Sequence, residues 1–511
     1  MDRRIRRLGF GLVGLFALLF AQLSYVQVIH ADHIKAQPAN ARRQIIAEYK
    51  VERGPILSAD GVVLARSVRN PERRAELLFQ RVYTKGPDEQ PLYSGLTGYY
   101  SRTYGRDELE EAANPYLSGD ASDLAVSTFT DLILGRERKG GAIVTTIVTG
   151  LQEAAAAALG DQLGAVVAIE PDTGDVLALY ANPSYDPNTI SSGSDDDIVE
   201  AWEAITSDPD QPLISLAKDE LFLPGSTGKL ITASAALENE IEPGDQWPNP
   251  RVLDLPQTTN TLENFGGSLC NGGSRTVSMA EAFQESCNVT FAEIGLDLGA
   301  RKLSEQARAY GFCPTDPPAQ IECESPTIPF LLPWANGRFP VPSYFAESQP
   351  LLAFSAIGLD NVVTNPLHMA LIAAAIANDG KMMQPRLITA VRDHTGKVVR
   401  EFDEEQYGQP ISDASAKEMR AMMLSVTQGG TASTAFSGFT IDVAGKTGTA
   451  TNGENRDPNA WFTAFAPAGP GAKAEIAVAV IVLDGGSLGS EATGGQVAAP
   501  IARAVIEAYL G

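Results

Sequence analysis

Three short runs carry side chains that could act together. Ser226-Thr227-Gly228-Lys229 places a hydroxyl and an amine at i and i+3, positions that share one face of a helix. A serine hydroxyl attacks an acyl carbon only when an adjacent base takes its proton. A lysine can be that base only when neutral, a state that burial and a second cation nearby favour. Lys446 of Lys446-Thr447-Gly448-Thr449, the only K-T-G in the chain, is the obvious second cation. Ser286-Cys287-Asn288, the only S-x-N, adds a hydroxyl that can relay a proton and, in Asn288, an amide that can orient substrate. Thr447 and Thr449 offer hydroxyls to a substrate carboxylate, and Gly448 lets an extended peptide approach the strand backbone. The backbone N–H groups of Ser226 and Thr449 are candidates for an oxyanion hole.

The motifs are specific as a set. At average residue usage S-x-x-K arises by chance about twice in a chain of this length, and Ser215-Leu216-Ala217-Lys218 is a second match. That copy lacks the Pro224-Gly225 lead-in and runs into Asp219-Glu220, so it is read as a decoy.

These residues need a scaffold. Pro224-Gly225 ends the preceding segment and an Ala-rich run follows, which puts Ser226 at a helix start. Ser286 falls in a helical region, Met279 to Gly295, and Lys446 at the start of a strand-like run. Ala165–Ile169 and Val176–Leu179, joined through Pro171-Asp172-Thr173-Gly174, read as a hairpin. Ile143–Val148, Trp461–Ala466 and Ile476–Leu483 read as further strands. Leu151–Leu163, Lys229–Glu238, His368–Asn378 and Val497–Leu510 read as helices. An antiparallel sheet flanked by terminal helices, with a helical middle inserted, is an α+β plan. Upstream, Ala59-Asp60-Gly61 marks a hairpin between apolar runs, and the segment to Gly141 reads as a small irregular α+β module. Asp195-Asp196-Asp197 is read as a solvated loop and not as a metal site.

The net charge of −24 over 511 residues argues against a nucleic-acid partner, which needs a basic patch. Arg3, Arg4, Arg6 and Arg7 precede an uncharged stretch from Leu8 to Ile29, long enough to span a bilayer. With no small-x-small exit it reads as an uncleaved anchor. The positive-inside rule then puts residues 1–7 in the cytoplasm and the rest outside. Four cysteines, Cys270, Cys287, Cys313 and Cys323, form no C-x-x-C pair, so a zinc site is not expected. Of the three pairings that can be drawn, Cys270–Cys287 with Cys313–Cys323 is the most local and is preferred. Four unpaired, mostly buried thiols are the alternative. His30 and His33 sit beside the apolar stretch and His368 on an apolar helix, where packing or capping suits it better than catalysis. A Ser-His-Asp triad therefore has little support.

The three motifs in this order resemble the serine acyltransferases that react with penicillin. From about Ile143 onward the chain is similar to their transpeptidase domain, with its serine β-lactamase-like fold. Arg53-Gly54-Pro55-Ile56 with Asp60-Gly61 resembles the start of the pedestal in class B penicillin-binding proteins. Gln37–Arg43 and Gly95–Leu117 look closest to their actinobacterial PbpA branch, which is linked to cell division. Ser58-Ala59 stands where that family often has Asp-Arg, and Leu359 follows Gly358 where it often has Gln. Neither is expected to touch the chemistry.

The resemblance implies a tail (1–7), an anchor (8–29), a non-catalytic dimerisation-like pedestal (30–141) and a transpeptidase domain (142–511). It implies a D,D-transpeptidase that takes D-Ala-D-Ala stem peptides, with β-lactams as covalent inhibitors and no cofactor or metal. A SEDS-family glycosyltransferase is the implied partner, contacted through anchor and pedestal. The alternatives are a D,D-carboxypeptidase or a penicillinase, for which no water-activating glutamate can be assigned, and a non-catalytic sensor or scaffold.

Overall fold

The computed structural model describes residues 2–26, 45, 48–70, 77–125, 135, 137–317, 327–346, 348–451 and 456–511. Helix α1 (Asp2–Ser24) comes first. Its segment Arg6–Ser24 is long and apolar enough to cross a membrane, and none of it is buried. Residues 27–29 of the expected anchor lie outside the described residues.

Strands β1 (Ile56–Leu57), β2 (Val63–Arg69) and β3 (Phe79–Tyr83) follow, then β4 (Ala142–Thr145), helix α2 (Thr149–Leu159) and the hairpin β5 (Gly164–Ile169) and β6 (Val176–Asn182). The helical middle contains α3 (Lys229–Leu237), α4 (Met279–Gln284), α5 (Asn288–Ala309) and α6 (Pro366–Ala377). Strands β7 (Ile388–Arg392) and β8 (Val398–Glu401) lead to α7 (Asp413–Gln428). Strands β9 (Ala444–Ala450), β10 (Asn459–Ala466) and β11 (Ile476–Val482) and helix α8 (Ala498–Leu510) complete the fold.

The central five-stranded sheet runs β9-β10-β11-β5-β6, with every neighbour antiparallel. Strands β5, β10 and β11 are buried along their whole length, because helices cover both faces. Helices α2 and α8 pack together on one, and α6 packs against the other. All twelve residues of α6 are buried, which is why its sequence is apolar all round. In β11, Ile476, Val478, Val480 and Val482 point to one face and the smaller Ala477 and Ala479 to the other, a consequence of the period-two pleat. β9 is an edge strand, so one side of its backbone is free of a sheet partner.

A second, six-stranded sheet has the order β8-β7-β4-β1-β2-β3. The expected Asp-Gly hairpin is its β1–β2 unit, with Ile56 opposite Ala65. β1 also pairs in parallel with β4, and β4 pairs antiparallel with β7. One sheet therefore joins the N-terminal module to the larger region.

Four expectations need correction. The single helix from Met279 to Gly295 is two helices, α4 and α5, because Ser286 takes a left-handed conformation (φ +64°) that stops the first. Asp195-Asp196-Asp197 is not a loop: it opens a helix, Asp195–Ser207, with Ser194 and Asp197 forming a reciprocal capping box. Lys446 lies inside β9 and not at its start. The strand expected from Ile143 to Val148 ends at Thr145.

Candidate active site

Ser226 sits on a short 3-10 turn, Gly225–Gly228, that leads into α3. The turn is pinned to the sheet. Trp461 Nε1 of β10 donates to Leu223 O at 3.1 Å, and Gly225 N donates to Gly358 O at 2.9 Å. Gly225 has φ +52°, and a Cβ there would lie 2.5 Å from Thr449 O. Only glycine lets the serine turn meet the edge of β9 so closely.

Lys229 is fully buried one turn beyond Ser226. Its Nζ lies 3.0 Å from Ser226 Oγ, 2.7 Å from Ser286 O and 2.8 Å from Asn288 Oδ1. A neutral amine has two hydrogens and one lone pair. Here the carbonyls of Ser286 and Asn288 accept the two hydrogens, and the lone pair is left for the Ser226 hydroxyl proton. Burial first, and then the Lys446 cation, holds the Lys229 amine well below the ordinary lysine range.

Ser286 lies between the two lysines. Its Oγ accepts from Lys446 Nζ at 2.8 Å and stands 3.3 Å from Lys229 Nζ. Lys446 is itself fully buried, donates to Thr447 O at 3.0 Å, and is brought down by burial to about 7. The break between α4 and α5 makes this bridge: the left-handed Ser286 turns its hydroxyl toward both amines, and Asn288 starts the next helix. A disulfide joins Cys270 to Cys287, beside Ser286, as the most local pairing anticipated. Cys313 is also disulfide-bonded, and Cys323 lies outside the described residues. The alternative of free thiols does not hold for Cys270, Cys287 and Cys313.

The three motifs converge on one open cleft of about 330 Å³, lined among others by Ser226, Ser286, Asn288, Thr447, Gly448 and Thr449. The two lysines lie beneath its floor. Thr447 Oγ1 pairs with Thr431 Oγ1 at 2.6 Å, and Gly494 N donates to Thr449 Oγ1 at 3.4 Å.

Residues 164–507 match the penicillin binding protein transpeptidase domain, and residues 53–143 the penicillin binding protein A dimerisation domain. The chain belongs to the penicillin-binding protein transpeptidase family. Over 521 aligned residues it is 38% identical to the peptidoglycan D,D-transpeptidase PbpA of Mycolicibacterium smegmatis, covering 100% of this chain and 99% of that one. PbpA of Mycobacterium tuberculosis is 36% identical over 518 residues, with the same coverage. Among solved structures, the ceftriaxone acyl-enzyme complex of penicillin-binding protein A from M. tuberculosis superposes with a TM-score of 0.81 at 36% identity. It covers 91% of this chain and 100% of its own. The penicillin G acyl-enzyme of that protein gives 0.79 at 36% identity, covering 90% and 100%.

Within this penicillin-binding protein the second S-x-x-K has other work. Lys218 Nζ is buried against Glu108 Oε1 (2.7 Å), Asp219 Oδ1 (2.8 Å) and Pro333 O (2.9 Å). Although burial opposes its charge, Glu108 and Asp219 hold this lysine above its ordinary range, so it is no base for Ser215. His368 is a satisfied core residue. Its Nδ1 accepts from Gly337 N at 3.2 Å, so Nε2 carries the proton and donates to Tyr310 O at 2.7 Å. Leu359, expected to stand clear of the site, lines the cleft, as do Asn264, Thr431 and Gly495. No motif marks these residues. They arrive on turns whose positions depend on long-range packing.

Proposed function

We propose that this chain is a peptidoglycan D,D-transpeptidase with Ser226 as its nucleophile. The observation that carries the reading is the Lys229 amine, buried beside Lys446 and supplied with two fixed acceptors, so that its lone pair is aimed at Ser226 Oγ. The D-Ala-D-Ala end of a stem peptide lies in extended form along the free edge of β9, as an added strand would. Thr447 and Thr449 receive its carboxylate. Lys229 takes the Ser226 proton as Oγ attacks the penultimate D-Ala carbonyl, and the amides of Ser226 and Thr449 stabilise the oxyanion. Ser286, bonded to Lys446, passes a proton to the departing D-Ala. The amine of a second stem peptide then resolves the ester. β-Lactams enter as imitations of the donor, in keeping with the acyl-enzyme complexes of the M. tuberculosis relative.

The proposal extends to the rest of the chain: residues 1–7 cytoplasmic, 8–29 anchoring, 30–141 a pedestal, and 142–511 catalytic outside the membrane. It includes a SEDS-family glycosyltransferase partner and a role in cell division. The deciding experiment is labelling with a fluorescent penicillin, with the adduct mapped by mass spectrometry. A stable adduct on Ser226 that is lost in Ser226→Ala and kept in Ser215→Ala supports the nucleophile. Its absence from folded wild type removes it. The SEDS partner is tested by copurification and by whether polymerase activity depends on this chain.

A further inference from the structure

The donor peptide accounts for the hydroxyls, the edge strand and the buried lysines, but not for the second substrate. That substrate is an amine, which is a cation in water until it loses a proton. Among the described residues that line the cleft, Glu285 is the one charged side chain. It is exposed at the rim, directly before Ser286, and its Oε2 accepts from Asn271 N at 3.0 Å.

This places the carboxylate at a particular end of the cleft. Thr431 N donates to Gln284 O at 3.4 Å, and Thr431 Oγ1 pairs with Thr447 Oγ1. The segment Gln284-Glu285-Ser286 therefore borders the Thr447 end, where the donor carboxylate is held and from which D-Ala departs. Among the described residues, the other oxygen of Glu285 has no hydrogen-bond partner. The carboxylate also lies within 4.8 Å of the sulfurs of Cys270 and Cys287, but these are tied to each other as a disulfide, which leaves no thiolate to share a metal with it.

We propose that Glu285 receives the ammonium group of the acceptor stem peptide as it enters the space vacated by D-Ala, and so favours transfer over hydrolysis. The inference rests on the transpeptidase reading above. In the step it serves, the ammonium first gives one proton to solvent. The amine then attacks the Ser226 ester. The C–N bond forms as the C–O bond to Ser226 breaks, and the second amine proton reaches Ser226 Oγ by way of Lys229. Glu285 is a recognition residue and takes no proton in this sequence.

The test uses the full-length protein in detergent, a thiolester analogue of the donor and, as acceptors, peptides carrying a free diaminopimelate or lysine side-chain amine. The readout is the ratio of transfer to hydrolysis as a function of acceptor concentration. It reports only the step after acylation, so any effect on acylation cancels. Glu285→Gln keeps an oxygen for Asn271 N and removes only the charge. The expected result is a rise in the acceptor concentration giving half-maximal transfer of roughly fivefold, the scale of a charge-assisted contact at a solvent-facing rim. Glu285→Lys is expected to raise it further and Glu285→Asp to restore part of the loss. A covalent penicillin adduct on each variant shows that it is folded. An unchanged acceptor dependence in Glu285→Gln overturns the proposal. So does a fall in hydrolysis with transfer intact, which would make Glu285 a base for water. A wild type that hydrolyses the donor and transfers to no amine overturns the transpeptidase reading instead, and this inference with it.

Discussion

Lys446 Nζ and Ser286 Oγ stand 2.8 Å apart, and through that hydroxyl the K-T-G strand reaches Lys229, the base proposed for Ser226. The two amines need opposite protonation states. In the proposed mechanism Lys229 works neutral, whereas Lys446 works as a cation that depresses Lys229.

A bell-shaped pH profile is the expected consequence. The second-order rate of acylation by penicillin rises as Lys229 gives up its proton. It then falls as the pH passes the Lys446 value of about 7, because deprotonation removes the cation. Both limbs belong to the coupled pair. In Lys446→Arg, whose guanidinium stays charged, the falling limb should vanish even if the plateau is lower. Stopped-flow acylation across pH 5–10 measures both.

The second S-x-x-K should matter for stability and not for labelling. Ser215→Ala should take up penicillin at the wild-type rate. Lys218→Met strips Glu108, Asp219 and Pro333 O of their shared donor and should cost about 3–5 kcal/mol, as breaking a buried ion pair does. Chemical denaturation with penicillin labelling on the same samples separates the two effects.

His368 should set part of the acid stability. Burial lowers it from 6.5 to about 4 in the folded chain, so the unfolded chain binds the proton first. Stability is then complete above pH 6.5, falls as the pH drops through that value and levels off below about 4. The loss is about 3 kcal/mol. His368→Gln should start less stable but lose this slope, as melting curves between pH 4 and 8 would show.

Cutting the Cys270–Cys287 link should weaken both fold and chemistry. The sequence separation of 17 corresponds to about 3 kcal/mol of loop-closure entropy. The Cys270→Ser, Cys287→Ser double variant should melt earlier and acylate more slowly, since Ser286 loses the tether beside it. Penicillin labelling rates at a temperature where both proteins are folded isolate the second effect.

Much of the site was legible because its chemistry is local in sequence. Ser226 and Lys229 share a helical face by spacing alone, and the central hairpin and the strands after Trp461 follow from alternation and turn residues. The break at Ser286 was not legible. The Met279–Gly295 run carries no glycine or proline at that point, and the left-handed turn is imposed by the surroundings, including the bonds to Lys229 and Lys446. Thr431 and Gly495 were equally silent, since their place in the cleft comes from pairing with residues far along the chain. Asp195 to Asp197 misled for a simpler reason. An acidic run suits a solvated loop, but it suits the positive end of a helix as well.

The six-stranded sheet has a mechanical consequence. With β1 bonded to β4, and β4 to β7, the N-terminal module and the catalytic body cannot swivel independently unless backbone hydrogen bonds break. The two behave as one lever. A push on the outer strand β3 would arrive at the other end as a tilt of the whole cleft, so the angle at which the cleft meets its polymer is set by whatever grips the N-terminal end.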